Sequence, residues 1–224
     1  MIEYHETIEK DIDITDIMVI HTIMHKSAKM YVIGNGNEFI LFDCLWQDSF
    51  PVIKRCLKEL QISFSQIIGM FVSHFHPDHA GAFEYLRQHG IAPLVLERQM
   101  PYAEWLNNFF QKKKNDPDKK YLPINVESLI ATTPQKTKTV INSLGFSGTI
   151  IYTPGHSEDS ISLIAGSAAF VGDLQPLETA DIQGDKVAKC WQEITSHNIS
   201  EIYYAHGNIP KILGVMAHFK GGLV

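Results

Sequence analysis

The segment His74-Phe75-His76-Pro77-Asp78-His79 places three imidazoles and a carboxylate within six residues, directly behind the apolar run Ile67 to Val72. A buried strand ending in so many polar groups must satisfy them, because an unpaired polar group taken out of water costs roughly 2–7 kcal/mol. A bound cation satisfies several at once. His74 and His76 lie two apart, so in an extended segment they project to the same side and can clasp one ion. Pro77 fixes the backbone and stops the strand. Asp78 and His79 then turn into the start of a helix, where they can address a second ion beside the first.

A centre of this kind needs further ligands, and the rest of the chain offers them behind strand-like runs. Thr153-Pro154-Gly155-His156-Ser157 follows the run Thr149 to Tyr152, Gly172-Asp173 follows Ala168 to Val171, and His206 follows Ile202 to Tyr204. One histidine after a strand is more often structural; the recurrence of the arrangement carries the reading. Nitrogen and carboxylate donors without cysteine suit zinc, and iron, manganese or cobalt accept the same set.

The remaining pattern predicts an alternation of strands and helices. Met30 to Cys44 reads as a hairpin around Gly34-Asn35-Gly36, residue types that tolerate the positive φ of tight turns. Helices are predicted from Pro51 to Gln61, from Ala80 to His89 with Gly90 as its cap, and from Asp185 to Ser196. Ile91 to Leu96 and Ser160 to Ile164 are strand candidates. Between Glu97 and about Leu144 the pattern changes. Tyr102, Trp105, Leu106, Phe109 and Phe110 form an aromatic helical stripe, and Lys112 to Lys120 reads as a solvated loop rather than a nucleic-acid patch. The stripe either walls a substrate cavity or seals the fold.

His74-x-His76-x-Asp78-His79, with His156, Asp173 and His206 after it in that order, resembles the motifs of the metallo-beta-lactamase superfamily. The likeness runs from the Asp43 strand to His206. It implies an α/β fold built as a four-layer αββα sandwich, two mixed sheets face to face with helices outside, as one domain over residues 1–224. It implies that His74, His76 and His156 hold one divalent ion, that Asp78, His79 and His206 hold a second, and that Asp173 bridges the two. Asp43 would support the ligand loop from behind. The family has a small residue and a glycine soon after this acid, where this chain has Cys44-Leu45.

With two ions, zinc before iron or manganese, the centre would turn water into a hydroxide nucleophile near neutral pH, and Asp78 would handle the proton. No G-x-S-x-G elbow offers a serine alternative. The predicted activity is hydrolysis of a small ester, lactone or thioester. The alternatives are a phosphodiesterase or nuclease of the same superfamily and a non-hydrolytic diiron redox protein. The formal net charge of -6 works against nucleic acid and favours a small-molecule substrate. Three widely spaced cysteines, an acidic polar amino terminus and the lack of an apolar run near 18 residues point to a cytoplasmic protein with no membrane contact. The oligomeric state stays open. His5, His21, His25, His89, His197 and His218 are assigned surface or structural roles. Tyr203 and Tyr204 are weighed as oxyanion donors against core packing, which is the favoured role.

Overall fold

In the computed structural model, which describes residues 2–7, 18–112, 121–180, 184–207 and 211–212, the strands fall into two sheets. The first lies in chain order: β1 (Ile2–Thr7), β2 (Met18–His25), β3 (Ala28–Gly34), β4 (Phe39–Phe42) and β5 (Ile67–Phe71). Its pairs are antiparallel as far as β4, and β5 then runs parallel to β4. The second sheet holds β6 (Gly148–Tyr152), β7 (Ile161–Ala165), β8 (Ala168–Gly172), β9 (Glu201–Tyr204) and β10 (Lys211–Ile212). There β8 and β9 form the parallel pair, and the other neighbours are antiparallel. A parallel pair needs a crossover, usually helical. Helix α1 (Phe50–Glu59) lies in the first crossover. The second crossover holds the last helix among the described residues.

Strand alternation builds the layers. β3 sends Tyr31 and Ile33 between the sheets while Met30 and Val32 face outward, and β4 does the same with Ile40 and Phe42 against Phe39 and Leu41. From the other side, β8 contributes Phe170 to the central layer and Ala169 and Val171 to the outer one. These strands are buried on both faces, which is why their sequences read as unbroken apolar runs. At the centre the rings of Tyr31, Phe170 and Tyr203 meet at 4.7–5.4 Å between centroids.

Helices cover both outer faces. After α1 come α2 (Pro77–Ala80), α3 (Phe83–Gln88) and α4 (Met100–Lys112). Ile53 and Leu57 of α1, Phe83 and Leu86 of α3, and Leu106 of α4 pack on the first sheet. Helix α5 (Pro134–Asn142) closes the end of the inter-sheet gap with Ile141. Helix α6 (Asp185–Thr195) covers the second sheet with Val187, Trp191 and Ile194. The result is the four-layer αββα sandwich.

Three readings of the sequence need correction. The helix predicted over Ala80–His89 is two pieces that start earlier, because the chain crosses another segment at Gly81. Its N–H donates to the Leu45 carbonyl (2.8 Å), and a Cβ there would stand 2.2 Å from the Gln47 nitrogen. Ile91 to Leu96 is not a strand; it makes isolated bridges at Pro93 and Leu96, since a proline cannot donate to a ladder. The stretch from Glu97 to Leu144 holds a second helix, α5, capped by the Thr133 hydroxyl accepting from Lys136 N–H, which the sequence reading left unassigned. Lys113 to Lys120 and the side chains of His5 and His218 lie outside the described residues. Among those described, no helix is long and apolar enough to cross a membrane.

Candidate metal centre

Each sheet's parallel pair ends at the same edge of the sandwich, and the carboxyl ends of those strands are where open α/β sheets leave room for ligands. Asp43 follows β4, Ser73 to His79 follow β5, Asp173 follows β8 and His206 lies just beyond β9. His156 sits in the loop after β6. The register of β8 against β9 shifts between Phe170 and Gly172, an irregularity of the kind that re-aims a strand end. Gly172 itself has φ +56°, and a Cβ there would lie 2.5 Å from Cβ of Ser73. Only glycine lets the ligand loop of one sheet rest against the strand end of the other. The contact is fastened by Ile161 N–H donating to the Ser73 carbonyl (2.8 Å).

The side chains converge in two groups joined by a third. His76 Nδ1 stands 2.9 Å from His74 Nε2 and 3.2 Å from His156 Nε2. A tetrahedral ion with bonds of about 2.0–2.1 Å holds its nitrogens roughly 3.3 Å apart, so these spacings match one ion within a few tenths of an ångström. In the second group, Asp78 Oδ2 lies 3.2 Å from His206 Nε2 and 3.6 Å from His79 Nε2. Asp173 faces both: Oδ2 is 3.3 Å from His79 Nε2 and 3.6 Å from His156 Nε2, and Oδ1 is 3.2 Å from His206 Nε2. The sets His74/His76/His156, His74/His79/Asp173 and Asp78/His79/His206 each bring their donor atoms within 4.8 Å of one another.

The donor chemistry fits divalent cations. Nε2 of His79 and Oδ1 of Asp173 are buried without a well-formed hydrogen bond, an arrangement that costs stability unless a further group joins them. Protonation divides the site. Burial, and then the neighbouring imidazoles of His79 and His76, push the His74 pKa well down, and burial followed by His156 and His79 lowers that of His76. Both therefore offer free lone pairs. Burial alone would lower His79, but the carboxylates of Asp43 and Asp173 overcome it and push its pKa up to about 10. The carboxylates of Asp173 and Asp78, each 3.2 Å from its Nε2, raise His206 to about 10 against the effect of burial. Burial raises Asp78 and Asp173, yet His206 holds Asp78 below the carboxylate range, and His206 and His79 take Asp173 well below it. Without metal, two imidazoliums occupy the place where positive charge is called for.

Buried groups behind the ligands orient them. Asp43, fully buried, accepts from Ser73 N–H (2.6 Å), from the Ser73 hydroxyl (3.1 Å) and from His79 Nδ1 (3.0 Å), which turns His79 Nε2 toward the centre. His206 Nδ1 donates to the Ser27 carbonyl (2.7 Å) with the same result. The turn after Asp43 carries Leu45 at φ 59°, fully buried, so the left-handed conformation that glycine adopts freely is here imposed on a leucine.

Sequence reasoning missed Asp159 and Gln99. Asp159 is fully buried and accepts from Phe75 N–H (2.8 Å) and the Ser157 hydroxyl, tying the His76 loop to the His156 loop. Gln99 Nε2 donates to the carbonyls of Val72 (2.9 Å) and Asp159 (3.2 Å) behind both. A carboxylate three residues after His156 was the available signal for Asp159; nothing local marked Gln99. Tyr203 is buried with its hydroxyl on Glu201, at the far end of β9, and Tyr204 packs toward Trp191 of α6. Both serve the core, as favoured. His25 bonds the Ser49 hydroxyl, and His89 packs on Phe50 and Phe64, away from the centre.

Residues 26–188 match the family model for the metallo-beta-lactamase superfamily. Solved structures of similar chain path include a metallo-beta-lactamase of Cronobacter sakazakii with a HARLDQ motif, 16% identical with a TM-score of 0.62, covering 84% of this chain and 75% of that one. A subclass B3 metallo-beta-lactamase of Bradyrhizobium japonicum is 17% identical with a TM-score of 0.56, covering 91% and 80%. An archaeal member of the superfamily from Sulfolobus tokodaii is 17% identical with a TM-score of 0.59, covering 89% and 84%. At these identities the solved structures speak to the fold alone.

Proposed function

The chain belongs to the metallo-beta-lactamase superfamily, and from that membership we propose that it is a hydrolase with two divalent ions, zinc first, acting on a small ester, lactone or thioester. The observation that carries the proposal is the convergence of two donor groups on the shared carboxylate of Asp173, with His79 Nε2 and Asp173 Oδ1 buried and short of hydrogen bonds. His74, His76 and His156 would hold one ion, and Asp78, His79 and His206 the other. Ions bound there supply a Lewis acid for the scissile acyl oxygen and make water acidic enough to attack near neutral pH.

The chain's own residues do the rest. Asp78 is the ligand carboxylate with the more exposed side chain, 20% against 16% for Asp173, and its lowered pKa keeps it ionised. It would take the proton of the attacking water and return it to the leaving group. Asp43 keeps His79 in the tautomer that presents Nε2. The net charge of -6 favours a neutral or weakly charged acyl substrate over a phosphodiester polymer. Cys44, Cys56 and Cys190 are buried free thiols, in keeping with a reducing, cytoplasmic setting.

The test is a substrate panel on zinc-loaded protein: nitrophenyl acetate, a homoserine lactone, lactoylglutathione and a nitrophenyl phosphodiester, each with and without a chelator. Chelator-sensitive turnover of one or more acyl substrates is expected. Turnover of the phosphodiester alone would overturn the acyl reading, and elemental analysis showing two irons and no hydrolysis would favour redox chemistry.

A further inference from the structure

Acyl hydrolysis leaves open what flanks the scissile bond, and a side chain on α4 bears on that question. Trp105 is 44% exposed, one of three large apolar side chains left in solvent among the described residues. Its ring lies 5.6 Å from that of His76 and is stacked on Phe109 at 5.5 Å and 25°. Four residues apart, the two rings share one face of the helix. Phe109 is braced in turn by Phe110, edge-on at 5.3 Å, and Phe110 is stacked on Tyr121 at 4.0 Å. A row of rings thus fixes the indole from behind while Trp105 itself stays open to water. A helix that only sealed the sandwich would need no large aromatic ring on its exposed side, having buried Ala103, Leu106 and Phe110 on the other.

The platform is also fixed relative to the ligands. Gln99 stands directly before α4, and its amide bonds are the ones to Val72 and Asp159 behind the two histidine loops. Within α4, Asn107 clamps the returning chain: Nδ2 donates to the Ile124 carbonyl (2.8 Å), and Oδ1 accepts from Ile124 N–H (2.8 Å) and Tyr121 OH (2.7 Å). The indole is therefore held beside His76.

We infer that the exposed indole of Trp105, backed by Phe109, is a subsite for a flat apolar group, an aryl ring, carried beside the bond that the metal centre hydrolyses. The inference rests on the acyl-hydrolase reading, and it names the substituent that reading leaves undefined. Ring stacking adds roughly 3- to 10-fold in affinity beyond simple burial.

Carboxylates serve as probes that need no turnover, since the carboxylate can reach the cations while the substituent reaches the indole. Acetate, cyclohexanecarboxylate, benzoate and 2-naphthoate are titrated by calorimetry into zinc-loaded wild type, Trp105→Phe and Trp105→Ala, with zinc content measured for each. Wild type should favour 2-naphthoate and benzoate over cyclohexanecarboxylate by about 3- to 10-fold, Trp105→Phe should keep part of that preference, and Trp105→Ala should lose it at full zinc content. An aryl preference that survives in Trp105→Ala, or is missing in wild type, overturns the subsite. Failure of the acyl reading shows separately, as a substrate panel without ester, lactone or thioester turnover.

Discussion

Replacing Asp43 by asparagine removes a charge and turns one acceptor into a donor at a site with no solvent to absorb the change. Asp43 is fully buried and accepts three times, from Ser73 N–H at 2.6 Å through Oδ1 and from the Ser73 hydroxyl and His79 Nδ1 at 3.1 and 3.0 Å through Oδ2. If the new amide takes the Oδ1 place, two N–H groups face each other across the shortest of these contacts. If it takes the Oδ2 place, His79 must accept through Nδ1, which moves its proton to Nε2 and disables it as a ligand. Either way one charge-assisted hydrogen bond is lost, about 1.5–3 kcal/mol, and in the first orientation a donor is left facing a donor as well. Loss of such a supporting carboxylate typically weakens metal binding about 10- to 100-fold. The weakening should fall mainly on the ion held by Asp78, His79 and His206. The set of His74, His76 and His156 should suffer less, through the Ser73 hydroxyl alone, which sits 3.0 Å from His74 Nδ1. Stepwise zinc titration against a chromophoric chelator, with denaturant unfolding of the metal-free protein, reads both effects. Two unchanged affinities, or two that fall equally, would refute the account of how His79 is held.

Four further outcomes follow from the same geometry. His79 and His206, both pushed up to about 10, are protonated at pH 7 without metal, whereas His74 and His76 are lowered, so filling both sites should release close to two protons; calorimetry in buffers of different ionisation enthalpy counts them, and a release near zero would contradict the charge division. In the metal-free protein the raised His79 contributes stability that is fully present below about pH 6.5 and fades as pH climbs through about 10, which chemical denaturation between pH 6 and 10.5 can follow. Gly172→Ala adds a Cβ 2.5 Å from Cβ of Ser73 at φ +56°, and should cost at least about 2 kcal/mol in unfolding free energy together with most of the bound metal; a variant with wild-type stability would mean the sheets can part there freely. Asp78→Asn should reduce kcat by about 100- to 10,000-fold on whichever acyl substrate the panel identifies while leaving the protein folded, and wild-type turnover with both ions retained would remove Asp78 from the proton role.

The histidine cluster was legible as a candidate metal site because metal chemistry favours a few residue types, and strand geometry sets the spacing of His74 and His76. The strands β3 to β9 were legible for a related reason: residues such as Phe39–Phe42, buried on both faces, leave runs too apolar to be loops. What failed were places where the decisive contact is distant in sequence. Gly81 breaks its helix because Leu45 and Gln47 cross there, which no local pattern announces. Helix α5 has a capping threonine and a first-turn proline, but its buried face is reduced to Thr137 and Ile141, too sparse for a periodic signal. Asp159 and Gln99 bond backbone atoms rather than one another's side chains, so neither makes a motif.

The two ends of the sandwich share the same strands and differ sharply in chemistry. At one end β4 and β5, and β8 and β9, finish side by side in the same direction, so each sheet releases two chain segments at one edge without a hairpin to tie them off. Those segments are free to carry donors, and Asp43 and Asp159, one behind each group of imidazoles, convert that freedom into fixed geometry. At the other end the β6 start and the β7–β8 turn leave a shallow cavity lined by Lys138, Gly148, Gly166 and His197. No cluster of metal-ligating donors includes its residues among those described. The parallel pairs therefore decide where a centre can form, and the two buried carboxylates fix the imidazoles that would hold it; Asp159→Asn with unchanged affinity at the His74, His76 and His156 set would break the second half of that statement and leave the first intact.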